Sequence, residues 1–448
     1  MIKVTARWNR RKVYFVLVKA YGNGISSQLN VIMTPKDDVR TKILYLPHRL
    51  PFPPNKGDKV RGFNFLKHLA KNNDLFVGSF IDDKADLEAG KLVQQYAVAS
   101  YIQYLNPKIK RLLSLKGLVT GAPLTVSYFE NNNLKRWVSE IVKKESIDTV
   151  LIYSSTMSQF IEGNEFEAIH RVADFADVDS EKWRTYSQIS KWPLRMIYAR
   201  EARTLLEYER KIALSFKQTV FVSKEEAQLF KSIAPESADK TTYVEMGVDT
   251  EYFDPSGIHV DSLLAAQHYL VFTGAMDYKP NIDSVTWFVS EIWPTVLAKH
   301  AKLKFYIVGS NPVAAVKALR RAPNVIVTGR VGDVRPYLLH AVLAVAPLRV
   351  ARGTQIKVLE AMAMAKHVVC TSAAAEGLHE QAKLCLNIAN SAEQFVQLLN
   401  ALSVKRGINF AARNAAIKYY SWPAKCAELD QILRLSATAI TAPIVGQT

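Results

Sequence analysis

Residues 345–378 read VAPLRVARGTQIKVLEAMAMAKHVVCTSAAAEGL, in which an apolar strand ends at Pro347 and a helical pattern begins near Thr354. Thr354 can cap that helix, and the N–H groups of a first helical turn have no partner within the helix. A strand, a short loop and a helix N-terminus in this order are typical of an α/β fold with an anion site after the strand.

Charged residues surround this helix start. Arg349 and Arg352 flank Gly353, which lets the backbone approach a ligand closely, and Lys357 follows one turn into the helix. A diphosphate there would meet amides and cations together. Glu360 lies on nearly the same helix face as Lys357, where its carboxylate could accept both hydroxyls of a ribose. An ordinary capped helix with a surface ion pair remains the alternative.

Short β-branched runs alternate with helical patterns on both sides of this stretch. Strands are predicted at 42–47, 74–80, 149–153, 169–173 and 219–222, and, after a polar stretch at 247–266, at 269–273, 304–308, 324–328, 342–346 and 367–371. Such alternation indicates parallel sheets with crossover helices. We therefore expect an α/β protein of two doubly wound domains facing a cleft, with ligands at the carboxyl ends of the strands.

The chain divides into four predicted parts. Residues 1–40 are predicted to be an N-terminal appendage and not a signal peptide, because the apolar run 13–18 is too short and no cleavage site follows it. We expect this appendage to be poorly ordered. The two domains are expected at 41–246 and 247–420. Residues 421–448 are predicted to form a C-terminal helix that crosses back to the N-terminal domain, followed by a tail.

Composition excludes several classes of protein. No run approaches the ~20 apolar residues of a membrane span. The three cysteines fit neither a disulfide framework nor a zinc cluster, so a reducing cytoplasm is expected. The net charge of +17 is compatible with nucleic acid, an anionic membrane or anionic small substrates. Residues 1–40 contribute eight basic and two acidic side chains, which leaves +11 for the other 408 residues.

The 345–378 stretch resembles the donor-site signature of glycosyltransferase family 4, retaining enzymes of the GT-B fold, in the variant K-x-x-E-A-M-A. The chain is more closely similar to the sugar transferases associated with PEP-CTERM/exosortase exopolysaccharide systems. That resemblance runs in order through LPFPPNKGDKVR (50–61), DFADVDSEKW (174–183), TGAMDYKPNIDSVTWF (273–288) and residues 327–365. It implies a GT-B fold of two Rossmann-like domains, the N-terminal one binding the acceptor and the C-terminal one the nucleotide-sugar donor.

The resemblance also implies a donor site, in which residues 329–334 lie beside the nucleotide base. Lys357 and Glu360 take the places of the family's phosphate and ribose contacts. Two departures matter: Arg352 replaces the usual first Glu, and the basic residues expected after Gly274 are replaced by a segment in which Lys279 could supply the charge. The donor-binding residues expected are Gly274, Asp277, Lys279, Arg330, Val331, Arg349, Gly353, Thr354, Lys357 and Glu360.

The N-terminal domain offers a second set of candidates at its first helix. Gly57 and Asp58 open that helix, and Asp58 can serve simply as its N-cap. The functional alternative is that this helix start faces the reaction centre. In that case Gly57, Lys59 and Arg61 form an acceptor or phosphate loop.

Three carboxylates follow the strand at 169–173. Asp174, Asp177 and Asp179 lie within six residues, an arrangement that costs like-charge repulsion unless it is used. Metal binding is one option. Because the resemblance implies that catalysis needs no bound metal, we expect an acceptor or transition-state role, with Asp177 as first choice and Asp174 as second. Alternatively, Asp179 caps the next helix.

Together these features predict a retaining glycosyltransferase that moves a sugar from a nucleotide diphosphate to a lipid-linked polysaccharide precursor in exopolysaccharide synthesis. Its catalytic residues would be Asp177, Asp174 and Arg352, with no metal and no cofactor besides the donor. We expect a cytoplasmic protein at the inner face of the plasma membrane, because residues 108–119 combine cations and leucines on one helix, although a solvated helix with an apolar inner face fits equally. A GT-B nucleotide-sugar epimerase is the alternative. A nucleic-acid-binding protein is disfavoured, since much of the excess charge lies in residues 1–40 and no binding module is visible.

Overall fold

The computed structural model describes residues 40–54, 57–258, 261–351, 353–402 and 406–434. All of the described secondary structure lies in the unit that begins at Thr41. The predictions for residues 1–39 and for the tail after 434 concern residues outside those described. None of the described helices is long and apolar enough to cross a membrane.

The first half of this unit is built on a seven-stranded parallel sheet, in the order β3-β2-β1-β4-β5-β6-β7. Its strands are β1 (Lys42–Pro47), β2 (Asp74–Ile81), β3 (Ala99–Tyr104), β4 (Thr149–Tyr153), β5 (His170–Ala176), β6 (Gln218–Phe221) and β7 (Thr241–Tyr243). Its helices are α1 (Gly57–Asn72), α2 (Pro107–Ser114), α3 (Gly117–Thr120), α4 (Leu124–Tyr128), α5 (Asn132–Glu145), α6 (Asp179–Ile189), α7 (Leu194–Ser215) and α8 (Lys224–Ile233).

The second half repeats the architecture with a six-stranded parallel sheet, in the order β10-β9-β8-β11-β12-β13. Its strands are β8 (Tyr269–Thr273), β9 (Lys304–Val308), β10 (Val325–Gly329), β11 (Leu343–Ala346), β12 (Val368–Cys370) and β13 (Asn387–Ile388). Its helices are α9 (Ser262–Ala265), α10 (Lys279–Trp287), α11 (Trp293–Lys299), α12 (Ala314–Ala318), α13 (Arg335–His340), α14 (Ile356–Ala363), α15 (Ser372–Ala375), α16 (Glu380–Lys383), α17 (Ala392–Leu402), α18 (Phe410–Tyr420) and α19 (Trp422–Leu433).

Both sheets have the doubly wound order, in which successive strands are added first on one side of the domain's first strand and then on the other. Strands β1 and β8 occupy that central place, and their side chains are almost completely buried because helices cover both faces. The predicted α/β class and the pair of doubly wound sheets are confirmed.

The predicted C-terminal helix is also confirmed. The chain leaves the second domain through α18, breaks at Ser421, and continues as α19 against the first domain. Trp422, Cys426 and Leu429 belong to the same apolar cluster as Ile43 and Phe65 of the first domain. Burial of these side chains fixes α19 on the first domain, so both ends of the second domain are tied to it.

Candidate functional site

The carboxyl ends of β8 and β9 come into backbone contact at two glycines. The N–H of Gly274 donates to the carbonyl of Val308 at 3.1 Å. A Cβ added to Gly309 would lie 1.6 Å from the carbonyl oxygen of Gly274, so no other residue fits at 309. Gly274 itself has φ +152°, a backbone angle that residues other than glycine rarely adopt. This close approach opens the edge of the sheet beside α10 and α14.

Lys357 lies in the first turn of α14 and points at this edge. Its Nζ donates to Oδ1 of Asn281 at 2.8 Å and lies 5.4 Å from the centre of the Phe272 ring. The amide of Asn281 in turn donates to the carbonyl of Ala275 at 2.9 Å, which fixes its orientation. Burial lowers the pKa of Lys357 to about 8.

Glu360 follows on the same face of α14. Its side chain is half-buried, and burial raises the pKa of its carboxyl to about 7, with Lys357 opposing the shift. Among the residues that the structure describes, no N–H or O–H group donates to this carboxylate. The carboxylate is therefore available to accept hydroxyl groups of a ligand.

The loop before α14 departs from the prediction in one respect. The helix begins at Ile356 with Gln355 at its N-cap, so Thr354 does not cap it, and that expectation was wrong. The hydroxyl of Thr354 donates to the carbonyl of Gly377 at 3.2 Å instead. A Cβ on Gly377 would lie 2.6 Å from the carbonyl carbon of Gly353, so the loop packs directly on the chain after β12. Arg352, the expected catalytic cation of this loop, lies outside the described residues.

Gly353 brings this loop close to the first domain. It has φ +59°, and a Cβ at this position would lie 3.8 Å from Cβ of Ser223, the N-cap of α8. The loop before α14 therefore reaches across to the opposite sheet, as expected of a ligand site in a cleft.

The two other cations expected near the donor phosphates, Arg349 and Lys279, lie along α10. Arg349 forms a two-point ion pair with Asp283 and lies over the ring of Trp287 at 5.7 Å. Lys279 is exposed at the start of α10. Together with Arg349, it lines a groove of about 520 Å³. Lys357 does not line this groove.

The expected base loop follows β10. Gly329 has φ +77° and turns the chain, Arg330 is exposed, and Val331 is half-buried against the core of the second domain. On the neighbouring loop, Asp277 accepts a hydrogen bond from the amide of Asn311 at 3.0 Å.

A cluster that the sequence analysis did not identify holds this loop in place. Asp333 accepts hydrogen bonds from the hydroxyl of Tyr252 at 3.2 Å and from Arg335 at 2.7 Å. The guanidinium of Arg335 also lies 3.8 Å from the centre of the Tyr252 ring, a cation–π contact. Hydrogen bonding from Arg335 keeps the pKa of Asp333 below its usual value.

In the first domain, Asp174 and Arg61 are joined in an internal ion pair. Nε of Arg61 donates to Asp174 at 2.8 Å, and Nη1 donates to the carbonyl of Val244 at 2.7 Å. Both side chains are buried, with relative exposures of 0% and 1%. The pair joins α1, β5 and the chain after β7, and these contacts favour a structural role.

Lys59 is also turned inward. Its ammonium forms an ion pair with Asp86 and donates to the carbonyl of Phe52 at 3.2 Å, and the side chain is buried. Gly57 is the first residue of α1, while Asp58 lies in its first turn, 3.5 Å from Arg49. Of this predicted loop, the structure brings neither Lys59 nor Arg61 to the surface.

Asp177, by contrast, is exposed. Two carboxyl groups hold the backbone at the start of α6. Glu226 accepts from the N–H of Val178 at 2.9 Å, and Glu209 accepts from the N–H and hydroxyl of Ser180 at 3.3 and 2.5 Å. Helix α6 begins at Asp179 without a side-chain cap, so the alternative role of Asp179 as a cap is wrong. Within the described residues, no cluster of three or more His, Cys, Asp or Glu could hold a metal ion.

Asn281 and Phe272 were missed as partners of Lys357. Asn281 lies within the quoted segment 273–288, and its place in the helix that follows the first strand of the domain was the available signal. The contact itself joins residues 76 positions apart, which no local pattern reports.

Comparison with known proteins supports this architecture. Residues 267–403 match the family model described as "Glycosyl transferases group 1". No curated protein sequence matches the chain. Among solved structures, the chain is similar to a glycosyltransferase from Rickettsia africae ESF-5 (16% identity, 89% of this chain and 100% of that chain, TM-score 0.56) and to Anabaena Alr3699/HepE in complex with UDP (15%, 88% and 100%, 0.56). It is also similar to WaaG, a glycosyltransferase involved in lipopolysaccharide biosynthesis (17%, 86% and 99%, 0.54). At these identities the likeness shows the fold, which is GT-B.

Proposed function

We propose that this protein is a retaining glycosyltransferase that transfers a sugar from a nucleotide diphosphate to a polysaccharide precursor. The observation that carries the proposal is the pair of Lys357 and Glu360 on α14. A half-buried carboxylate without a donor among the described residues suits the hydroxyls of a ribose, and a cation one turn away suits a diphosphate. The family match spans both residues.

The GT-B neighbours support a nucleotide-sugar donor. Anabaena Alr3699/HepE has been solved with UDP and with UDP-glucose, and WaaG acts in lipopolysaccharide biosynthesis. We extend this to a lipid-linked acceptor and an exopolysaccharide product, with the protein at the cytoplasmic face of the plasma membrane. The exposed carboxylate of Asp177, at the end of β5, is our candidate for contact with the acceptor.

The chemistry needs stabilisation of the leaving group more than a nucleophile. As the glycosidic bond stretches, negative charge grows on the β-phosphate and the sugar becomes oxocarbenium-like. Lys357 and the N–H groups of the first turn of α14 meet that charge. The acceptor hydroxyl attacks from the same face and gives its proton to the departing phosphate oxygen, so the configuration at the anomeric carbon is retained.

A nucleotide panel followed by one substitution tests the proposal. We expect a nucleoside diphosphate to raise the melting temperature of the full chain, because a ligand of the native state stabilises it. Glu360→Gln should weaken the binding of that nucleotide by about 1–3 kcal/mol, as measured by calorimetry, because an amide accepts hydrogen bonds from hydroxyls less well than a carboxylate. Glu393→Gln, an exposed carboxylate of the same domain, is the matched control.

Two outcomes contradict the proposal. If Glu360→Gln binds the best nucleotide as tightly as the wild type, Glu360 is not in the site. If a nucleotide sugar is consumed equally with and without acceptor lipid and its sugar is isomerised, the enzyme is an epimerase and not a transferase.

A further inference from the structure

Helices α2 and α3 expose apolar side chains instead of burying them. Within 107–120, only Ser114 and Gly117 are buried. Leu112 is 69% exposed and Val119 is 92% exposed. The remaining exposed apolar side chains of this segment are Ile109, Leu113, Leu115 and Leu118. A solvated helix with an apolar inner face is therefore not what the structure shows.

The turn between α6 and α7 has the same character. Every residue of 191–196 is exposed, including Trp192 at 78% and Met196 at 64%. Ile189 and Leu194 add further exposed apolar area on either side of Trp192. Nothing in the sequence analysis drew attention to this turn.

Two side chains of α7 contact α3 and the start of α4. Arg200 donates to the carbonyl of Gly117 at 2.6 Å, and Glu201 accepts from the N–H groups of Leu124 and Thr125 at 2.7 and 2.8 Å. Met196 is one turn before Arg200, on the same face of α7. The Arg200 hydrogen bond places α7 beside α3. We name the two exposed segments together the docking face and define it as residues 107–120 and 189–196.

The docking face itself carries charge of one sign. Residues 106–129 and 182–200 carry nine Lys or Arg and no Asp or Glu. Lys116, Lys182 and Arg184 pair with carboxylates just outside these segments. Four exposed cations have no carboxylate partner among the described residues, namely Lys108, Arg111, Lys191 and Arg195.

We propose that the docking face binds the surface of an anionic lipid bilayer, with the α6–α7 turn as a second contact beside the predicted 108–119 segment. Exposed tryptophan and leucine insert at the headgroup level, and unpaired lysine and arginine attract anionic lipids. The role of this membrane contact rests on the proposed function, since a bilayer bound to the acceptor domain would deliver a lipid-linked acceptor. Lipid binding itself is measured without turnover.

Vesicle cosedimentation of the full chain tests the proposal. We expect binding to vesicles of about 70% phosphatidylcholine and 30% phosphatidylglycerol, weakened by salt, and little binding to phosphatidylcholine alone. Lys191→Glu with Arg195→Glu should weaken binding roughly tenfold or more, and Trp192→Ser several-fold. The matched controls in the second domain are Lys302→Glu with Lys317→Glu, which change the net charge equally, and Leu384→Ser, whose side chain is also 78% exposed.

The outcomes separate the two proposals. Wild-type protein that does not bind anionic vesicles, or a control that loses as much binding as its matched variant, overturns the docking face. A dimer that Trp192→Ser converts to monomer would show that a second copy covers the face instead, which also overturns it. Nucleotide binding is measured on the same variants and should be unchanged. Its absence in the wild type would refute the proposed function and leave the lipid result standing.

Discussion

At the scale of single residues, Lys357 and Glu360 combine opposite charges with pKa values that burial has moved toward each other. The Lys357 pKa is lowered to about 8, and the Glu360 pKa is raised to about 7. Each group therefore loses its charge close to neutral pH: the lysine loses its proton above about 8, and the glutamate gains one below about 7. A ligand that needs both charges meets them together only in a narrow interval.

We predict that nucleoside diphosphate affinity is greatest between about pH 7 and pH 8. It should fall on the alkaline side as Lys357 becomes neutral and on the acidic side as Glu360 becomes neutral. Titration calorimetry from about pH 5.5 to 9.5 measures both limbs. Lys357→Arg, which stays charged, should remove the alkaline limb. Glu360→Gln should flatten the acidic limb down to about pH 6, where the terminal phosphate of the ligand begins to gain a proton. If both variants keep the wild-type profile, neither residue controls binding.

Sequence could supply part of this site. Lys357 and Glu360 are three residues apart, so the helical period alone predicts that they share a face. The ion pair between Arg61 and Asp174 spans 113 residues and depends on how α1 lies across β5. For that reason the sequence analysis assigned both residues to the reaction centre, whereas in the structure they form a buried ion pair with each other.

At the scale of elements, α6 and α7 meet through a carboxyl that is out of reach of water. Glu209 is completely buried in α7 and accepts both hydrogen bonds from Ser180. Burial raises the pKa of Glu209 to about 8, although the Ser180 hydrogen bonds oppose the shift and the charges of Asp179 and Glu181 add to it. The folded chain thus holds a proton that the unfolded chain releases near pH 4.5.

This difference makes the stability depend on pH. Because the folded state binds more protons, the free energy of unfolding should fall as pH rises from about 4.5 to about 8 and level off above it. Glu209→Gln, whose amide stays neutral, should be more stable relative to wild type at pH 8.5 than at pH 6, by on the order of 1–3 kcal/mol. Urea denaturation at both values measures it. Glu207→Gln, exposed on the same helix, should show no such change, and an equal effect in both variants would contradict the assignment.

Most strands could be predicted because buried parallel strands are rich in β-branched residues. All ten expected strands occur, within three residues of their predicted ends. The three that were missed, β3, β7 and β13, are edge or near-edge strands with few buried side chains, so they lack a continuous apolar run. Helix α14 starts two residues later than predicted because the loop before it packs on Gly377, a tertiary contact.

At the scale of the whole molecule, the two domains are joined by two neighbouring segments. The N–H of Val248 donates to the carbonyl of Tyr420 at 2.7 Å, and Val248 pairs with Ser421 in a short bridge. Beside them Lys425 of α19 pairs with Glu245 at 3.0 Å. The sequence predicted a C-terminal helix that crosses back, but not that the outgoing and returning segments contact each other.

Trp422 fills the space between these segments. Its indole is buried, and its ring meets that of Phe65 edge to face at 6.1 Å between centroids. A Cβ added to Gly247 would lie 2.7 Å from the indole, so the tryptophan requires glycine at 247. The residue that fits at position 247 therefore depends on the side chain at position 422.

A double-mutant cycle tests that dependence. We predict that Gly247→Ala lowers the free energy of unfolding by about 1–3 kcal/mol through overpacking, and that Trp422→Ala lowers it by about 3–5 kcal/mol through the cavity it leaves. In the double variant the added methyl enters that cavity, so the combined loss should be smaller than the sum of the two. Gly257→Ala, where a Cβ meets no atom within 4 Å, should be nearly neutral and additive with Trp422→Ala. Chemical denaturation of the full chain gives all these values, and strict additivity of Gly247→Ala with Trp422→Ala would show that the two crossing segments are not coupled through the indole.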